Sequence, residues 1–166
     1  MLRLFRQLRT DVAKEAGYSF VELLVVSAIL LILASAIVPV SQISVQRQRE
    51  SELRRALREI RTAIDDYKDA ADLGLIGGAN LRSENEGYPP SLESLVEGVE
   101  TANDASGRRL KFLRRIPIDP MAESNNWGLR SYQDSPSSTD WGGGNIYDVY
   151  SRASGVALDG TRYQEW

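Results

Sequence analysis

Glu22 is the residue whose chemistry and position stand out in this chain of 166 residues. It immediately precedes an apolar run, Leu23 to Val40, that contains no charged residue. At about 1.5 Å per residue, a helix of that length spans roughly 27 Å, close to the thickness of a bilayer core. An ionised carboxylate at the edge of lipid is costly, so it normally has a cationic partner. The sequence therefore predicts that Glu22 neutralises a positive charge at the head of an apolar helix.

The rest of the chain is poor in catalytic side chains. It has no cysteine and no histidine, which excludes Ser-His and Cys-His catalysis and leaves no thiolate or imidazole metal ligand. An anchored enzyme using a carboxylate pair or a Ser-Lys dyad is a poor alternative, because no lysine lies in a nucleophile motif. The net charge of -3 is spread without a basic block, so no nucleic-acid partner is expected. We expect no catalytic residue and no enzymatic activity.

Residues 1–17 predict the topology of the chain. They carry four basic residues against two acidic ones, a net charge of +2: Arg3, Arg6, Arg9 and Lys14 against Asp11 and Glu15. A positive stretch before an apolar run keeps the N-terminus cytoplasmic and sends the far end across the membrane. The small residues Ala16 and Gly17 precede the apolar run, so cleavage there would leave that run on the mature protein.

A single long helix is predicted from Tyr18 to Asp72. Its first part, 18–46, is apolar and would lie in the membrane or in a filament core, with a kink at Pro39. Its second part, 47–73, is amphipathic, because apolar residues recur every three or four positions. These are Leu53, Leu57, Ile60 and Ile64. Glycines from Gly74 onward end the helix.

The remaining residues predict a small α+β domain. Residues 74–126 read as loops around one short helix, Ser91 to Val99. Residues 127–166 read as a C-terminal antiparallel sheet with strands at 129–133 and 145–151 and a closing hairpin around Asp159-Gly160. The fold class is α+β, with the long helix packed on this sheet.

The N-terminal residues resemble the type IV pilin-like signature: a short basic leader, Gly17, Tyr18, Glu22, the apolar run and Pro39. The resemblance implies that a prepilin peptidase cleaves between Gly17 and Tyr18 and methylates the new N-terminus at Tyr18. It also implies that Glu22 pairs with the Tyr18 amine of a neighbouring subunit during assembly. Many family members carry a proline where this chain has Pro39.

Three later segments are similar to major pseudopilins of type II secretion systems: Tyr88-Pro89-Pro90, Leu113 to Pro120, and Ile146 to Trp166. That likeness implies a helical homopolymer forming a periplasmic filament that drives the export of folded proteins. The implied partners are minor pseudopilins, the prepilin peptidase, an inner-membrane platform and an assembly ATPase. The subunit would be a single-pass inner-membrane protein before assembly, with its C-terminal domain in the periplasm.

Several alternatives stay open at this point. The chain could be a type IV pilin or minor pilin for adhesion, motility or DNA uptake, or a plain signal anchor. Its tryptophans, Trp127, Trp141 and Trp166, fit core and lid positions or a binding module. Major pseudopilins commonly bind calcium near an Asp-Gly turn, which makes Asp159 a candidate Ca²⁺ ligand; the other reading is a hairpin turn without metal. Arg114-Arg115 is either an interface patch or a solvated face.

Overall fold

A computed structural model describes residues 18–77, 85–102 and 107–166, without the side chains of 36–40. The chain divides into two compact units, Met1–Ser41 and Gln42–Trp166. The predicted leader, residues 1–17 with the cleavage-site Gly17, lies outside the described residues.

The long helix α1 runs from Phe20 to Asp72, close to the predicted span. It ends in a Schellman arrangement, in which Gly74 N–H donates to Ala71 O (3.0 Å) and Leu75 N–H donates to Ala70 O (2.9 Å). Gly74 has a φ of +67°, which a side chain would disfavour. The glycine therefore ends the helix where the sequence predicted.

The first unit contains the apolar part of α1, and its described side chains from Tyr18 to Ser35 are all exposed. Among the described residues, no helix combines the length and the hydropathy that crossing a membrane requires.

The second unit is built on the amphipathic part of α1. The predicted stripe is confirmed, since Leu53, Leu57, Ile60 and Ile64 are all at most 2% exposed. Tyr67 continues the stripe and packs against Phe112 with ring centroids 5.3 Å apart. This stripe forms the centre of the hydrophobic core.

The short helix α2 spans Leu92–Glu97 and is two residues shorter at its C-terminal end than predicted. Ser91 caps it by accepting the N–H of Ser94 at 3.2 Å. Gly98, with a φ of +83°, stops it. A Cβ on Gly98 would lie 2.7 Å from Leu110 O, so the backbone at Leu110 can approach only a glycine at that point.

The predicted α+β class is confirmed: beside α1, the described residues form two separate two-stranded antiparallel sheets, of which one lies in the predicted C-terminal region and the other was not predicted. Strand β1 (Val99–Glu100) pairs with β2 (Arg109–Leu110), in a region predicted to be loop. Strand β3 (Gly128–Arg130) pairs with β4 (Asp148–Tyr150).

The C-terminal strands are also shorter than predicted, because side chains form hydrogen bonds with their backbone groups. The N–H of Ser131 donates to Asp134 at 2.7 Å, which ends β3 before Gln133. The expected closing hairpin is a single bridge between Val156 and Arg162. After it, Tyr163–Glu165 form a 3-10 turn instead of a strand.

Candidate functional site

The predicted assembly residues lie at the start of α1. Tyr18 is 76% exposed, and Glu22 lies in the first helical turn, where free backbone N–H groups favour a negative charge. The N–H of Leu23 donates to Ser19 O at 3.1 Å, which closes that turn. Glu22 makes no ion pair with any other described residue. Its carboxylate is therefore open to a partner outside this part of the chain.

The apolar side chains that follow Glu22 are exposed around the whole helix. Leu31, Ile32 and Leu33 are each at least 60% exposed, although successive residues of a helix point about 100° apart. A helix that is apolar all round needs to be covered by other helices or by lipid. The start of α1 therefore offers an apolar binding surface with one carboxylate at its N-terminal end.

Comparison with protein families identifies this segment. Residues 12–38 match the family model of the prokaryotic N-terminal methylation motif. The chain carries a prepilin-like methylation motif. No curated protein and no solved structure matches the chain.

The methylation motif contains Gly17, Tyr18 and Glu22 and ends one residue before Pro39. It supports a type IV pilin-like chain, and with it processing by a prepilin peptidase and assembly into a filament. Pro39 lies within α1, in the stretch whose side chains are not described, and its kink stays a prediction.

Downstream of the methylation motif, Glu50 connects the C-terminal segment to α1 through hydrogen bonds. Its side chain is largely buried, and its Oε1 accepts three hydrogen bonds. The donors are Gln46 Nε2 (3.1 Å), Tyr163 Oη (3.0 Å) and Leu158 N (2.9 Å). Sequence reasoning missed this residue. The only signal was helical spacing, since Glu50 lies three residues before Leu53 on the buried stripe.

The carboxylate of Asp148 makes a second set of such contacts, because it lies between two arginines. Arg61 Nε donates to Oδ1 at 2.7 Å, and Arg130 Nη1 donates to Oδ2 at 3.2 Å. Arg61 also donates to the main-chain oxygen of Trp166 at 3.1 Å, and Arg130 covers the ring of Tyr150 at 4.2 Å. Such paired, hydrogen-bonded charges hold the last strand and the C-terminal turn on α1.

The three tryptophans have different surroundings. Trp127 is buried, and its indole donates to Pro117 O at 3.0 Å. Trp166 lies under Arg54, 4.2 Å from its guanidinium. Trp141 is 43% exposed and lines a cavity of about 340 Å³ together with Asn125 and Asn126. Trp127 and Trp166 therefore have the core and lid positions that the sequence favoured.

Asp159 lies in the predicted Asp-Gly turn, where Gly160 has a φ of +88°. Its Oδ1 accepts the N–H and the hydroxyl of Thr161 at 3.0 and 2.6 Å, and its Oδ2 accepts Arg54 at 3.0 Å. Hydrogen bonds from Thr161, with a smaller contribution from Arg54, lower the pKa of Asp159. Within the described ranges, no three acidic groups come together as a metal site would need. Calcium binding by Asp159 stays a prediction.

Proposed function

We propose that this protein is a structural subunit of a pseudopilus, the periplasmic filament of a type II secretion system, and that it is not an enzyme. The observation that carries the proposal is the N-terminal methylation motif over residues 12–38. In that motif Glu22 is followed by apolar helix residues whose described side chains are all exposed. Such a surface favours a protein that buries its helix against neighbouring copies.

Assembly in this proposal begins with cleavage between Gly17 and Tyr18 by the prepilin peptidase, which then methylates the new amine. A methylated amine remains cationic at neutral pH. The Tyr18 ammonium of one copy would pair with the Glu22 carboxylate of its neighbour. In an apolar surrounding either ion alone would cost several kcal/mol, so the pairing fixes the axial position at which the two helices meet.

The proposal has residues 18–46 anchored in the inner membrane before assembly, with the C-terminal domain in the periplasm. The uncharged run from Leu23 to Val40 and the net positive charge of residues 1–17 support this orientation. A platform protein, an assembly ATPase and minor pseudopilins would complete the machine. Growth of the filament would push folded cargo outward.

Packing in the second unit supports a pseudopilin, because the last of the three segments that resemble this class contacts each of the other two. The N–H of Ile146 donates to Pro89 O at 2.8 Å. The hydroxyl of Ser151 donates to the buried carboxylate of Asp119 at 2.5 Å. The likeness therefore involves segments that are joined in the fold, not only separate stretches of sequence.

The alternative is a type IV pilin or minor pilin, which the methylation motif supports equally well. Deletion of the gene distinguishes the two proposals. A pseudopilin predicts that secreted proteins accumulate in the periplasm, whereas a pilin predicts loss of long surface fibres with normal secretion.

The assembly proposal is tested with Glu22→Ala and Glu22→Lys in the full chain. We expect both variants to be processed to the mature length but to form no filament, because the Tyr18 amine then lacks its counter-ion. Glu97→Ala, an exposed carboxylate at the end of α2, is the matched control and should assemble normally. Filaments of normal abundance from Glu22→Ala, counted by electron microscopy, would refute the pairing.

A further inference from the structure

The amphipathic part of α1 carries two sets of charged residues that have the same spacing and opposite sign. Four arginines are each followed, eleven positions later, by an aspartate. The basic set is Arg54, Arg55, Arg58 and Arg61, and the acidic set is Asp65, Asp66, Asp69 and Asp72. All of these residues are exposed except Arg61, which is half-buried. Eleven residues of an α-helix make three turns and about 20°, so the two sets follow each other on the same side of α1.

Within one copy, this arrangement places like charges beside one another. Arg58 lies three or four positions from every other arginine of the basic set, and Asp69 lies three or four positions from every other aspartate of the acidic set. Side chains at these spacings are neighbours on a helix, and like charges there destabilise it. Burial raises the pKa of Asp65, and the carboxylates of Asp69, Asp66 and Asp148 raise it further. Each set therefore repels itself in an isolated copy.

Neighbouring residues of opposite sign on α1 offset each set only in part. Glu52 and Glu59 are exposed beside the basic set, two carboxylates against four guanidinium groups. Lys68 is the only cation within residues 62–72, and it pairs with Asp72. The first set therefore keeps an excess of positive charge and the second an excess of negative charge.

Ion pairs within the copy leave part of each set available to a partner. Arg54 pairs with Asp159, and Arg61 pairs with Asp148. Among the described residues, no ion pair involves two arginines and the aspartates eleven positions after them: Arg55 with Asp66, and Arg58 with Asp69. Arg114 lines the same groove as both of these arginines and Asp66, which leaves Asp69 as the carboxylate farther from other cations.

One copy cannot pair its own two sets with each other. Arg58 and Asp69 lie about 16.5 Å apart along the helix axis, whereas ion pairs on a helix surface join residues three or four positions apart. The basic set therefore needs carboxylates of another molecule at the same spacing. The acidic set of a second copy has that spacing.

We propose that the acidic set of one copy binds the basic set of a neighbouring copy whose α1 runs parallel to it and is displaced by eleven residues, about 16.5 Å along the helix axis. This displacement places each of the four aspartates opposite an arginine. Within residues 47–72 it opposes only one pair of like charges, Arg47 and Arg58. Without displacement, each set would face a set of its own sign.

This contact deepens the filament proposal and rests on it, because it adds a contact between second units to the packing of the N-terminal helices. It is head-to-tail, since a basic surface of one copy meets an acidic surface of the next. The axial displacement prevents closure, so the contact repeats from copy to copy.

Charge reversal in the processed full chain tests the pairing. Arg58→Glu should raise the concentration at which the chain polymerises, measured by sedimentation, by roughly tenfold, because Asp69 of the neighbour then faces a carboxylate. Asp69→Arg should have the same effect, because two guanidinium groups then face each other. The double variant Arg58→Glu/Asp69→Arg should polymerise nearly as the wild type does, because every contact regains an opposite pair.

Helix stability separates this effect from damage to the fold. Each single reversal replaces like-charge neighbours within its own helix by opposite ones, so the melting temperature followed by circular dichroism should stay the same or rise. Arg152→Glu, at an exposed arginine outside α1, is the control for net charge and should polymerise normally. If it weakens polymerisation as much as Arg58→Glu does, or if the double variant recovers nothing, the pairing is refuted.

The absence of cysteine from the chain allows the displacement to be measured. A displacement of eleven residues also brings Ser51 of one copy beside Thr62 of the next, and both residues are exposed. A variant with both Ser51→Cys and Thr62→Cys should form a ladder of disulfide-linked multimers on mild oxidation, and neither single variant should form one. A disulfide-linked dimer from Thr62→Cys alone would refute the parallel contact, because antiparallel sets would cross near that residue.

The outcomes separate this inference from the filament proposal. If the wild-type chain fails to polymerise after processing, both the filament and the contact within it are refuted. If it polymerises normally, while the reversals have no effect and no ladder forms, only the pairing of the two charged sets is refuted, and they are a solvated helix surface.

Discussion

Asp134 shows at the scale of one residue how this fold closes a long loop without a disulfide. Its Oδ2 accepts the N–H of Ser131 at 2.7 Å and the N–H of Gly142 at 3.0 Å. A Cβ at Gly142 would lie 2.6 Å from Asp134 Oδ1, so the approach requires glycine. The hydrogen bond from Gly142, followed by that from Ser131, lowers the pKa of Asp134.

Asp134→Asn is expected to lower the melting temperature at neutral pH, because the backbone donors then face a neutral acceptor. The pKa of the wild-type carboxyl is lower in the folded chain than its ordinary value of 3.8. Its contribution to stability is therefore present above that value and is lost as the pH falls through the lowered pKa. Thermal melts of both proteins between neutral and strongly acidic pH should converge at the acidic end. A constant difference across the range would contradict this account.

At the scale of elements, charged groups of α1 hold the C-terminal turn, whose Tyr163 also packs in the hydrophobic core. Glu50 binds Tyr163 and Leu158, more than 100 residues away in sequence, and Arg61 binds Asp148 and Trp166. The two small sheets contribute only five residue pairs between them. The attachment of the last segment therefore depends on these side chains more than on sheet hydrogen bonds.

Glu50→Ala should lower the free energy of unfolding by about 2 kcal/mol, because it leaves the buried hydroxyl of Tyr163 and the N–H of Leu158 without their acceptor. Denaturant titration of the full chain, followed by tryptophan fluorescence, measures the change. Glu52→Ala is the control, since among the described residues that exposed carboxylate accepts only from Gln48; it should cost less than about 0.5 kcal/mol. Equal losses of unfolding free energy in the two variants would argue against the proposal that Glu50 holds the C-terminal segment on α1.

The sequence predicted the elements whose signal is local and repeated. The apolar spacing from Leu53 to Ile64 predicted the buried stripe, and Gly74 predicted the end of α1. The two-residue strands β1 and β2 were not predictable, because they are too short to show alternation. Glu50 and Arg61 were missed for a different reason. Among many charged residues on a helix, spacing does not reveal which one meets a partner far along the chain.

At the scale of the whole molecule, the two units have different surfaces. The described part of the first unit exposes apolar side chains on every side, whereas the second buries its apolar stripe and exposes charge. A chain of this kind has to be covered at one end by lipid or by copies of itself. The methylation motif at that same end connects this physical requirement with a processing step that prepares the helix for assembly.

The mass of the mature N-terminal peptide tests the central claim most directly. The full chain is produced together with a prepilin peptidase, digested, and analysed by mass spectrometry. We predict that the mature protein begins at Tyr18 and carries one methyl group on its amine, in the wild type and in Glu22→Ala alike. A mature protein that still begins at Met1, or that is cleaved after the apolar run, would contradict the account.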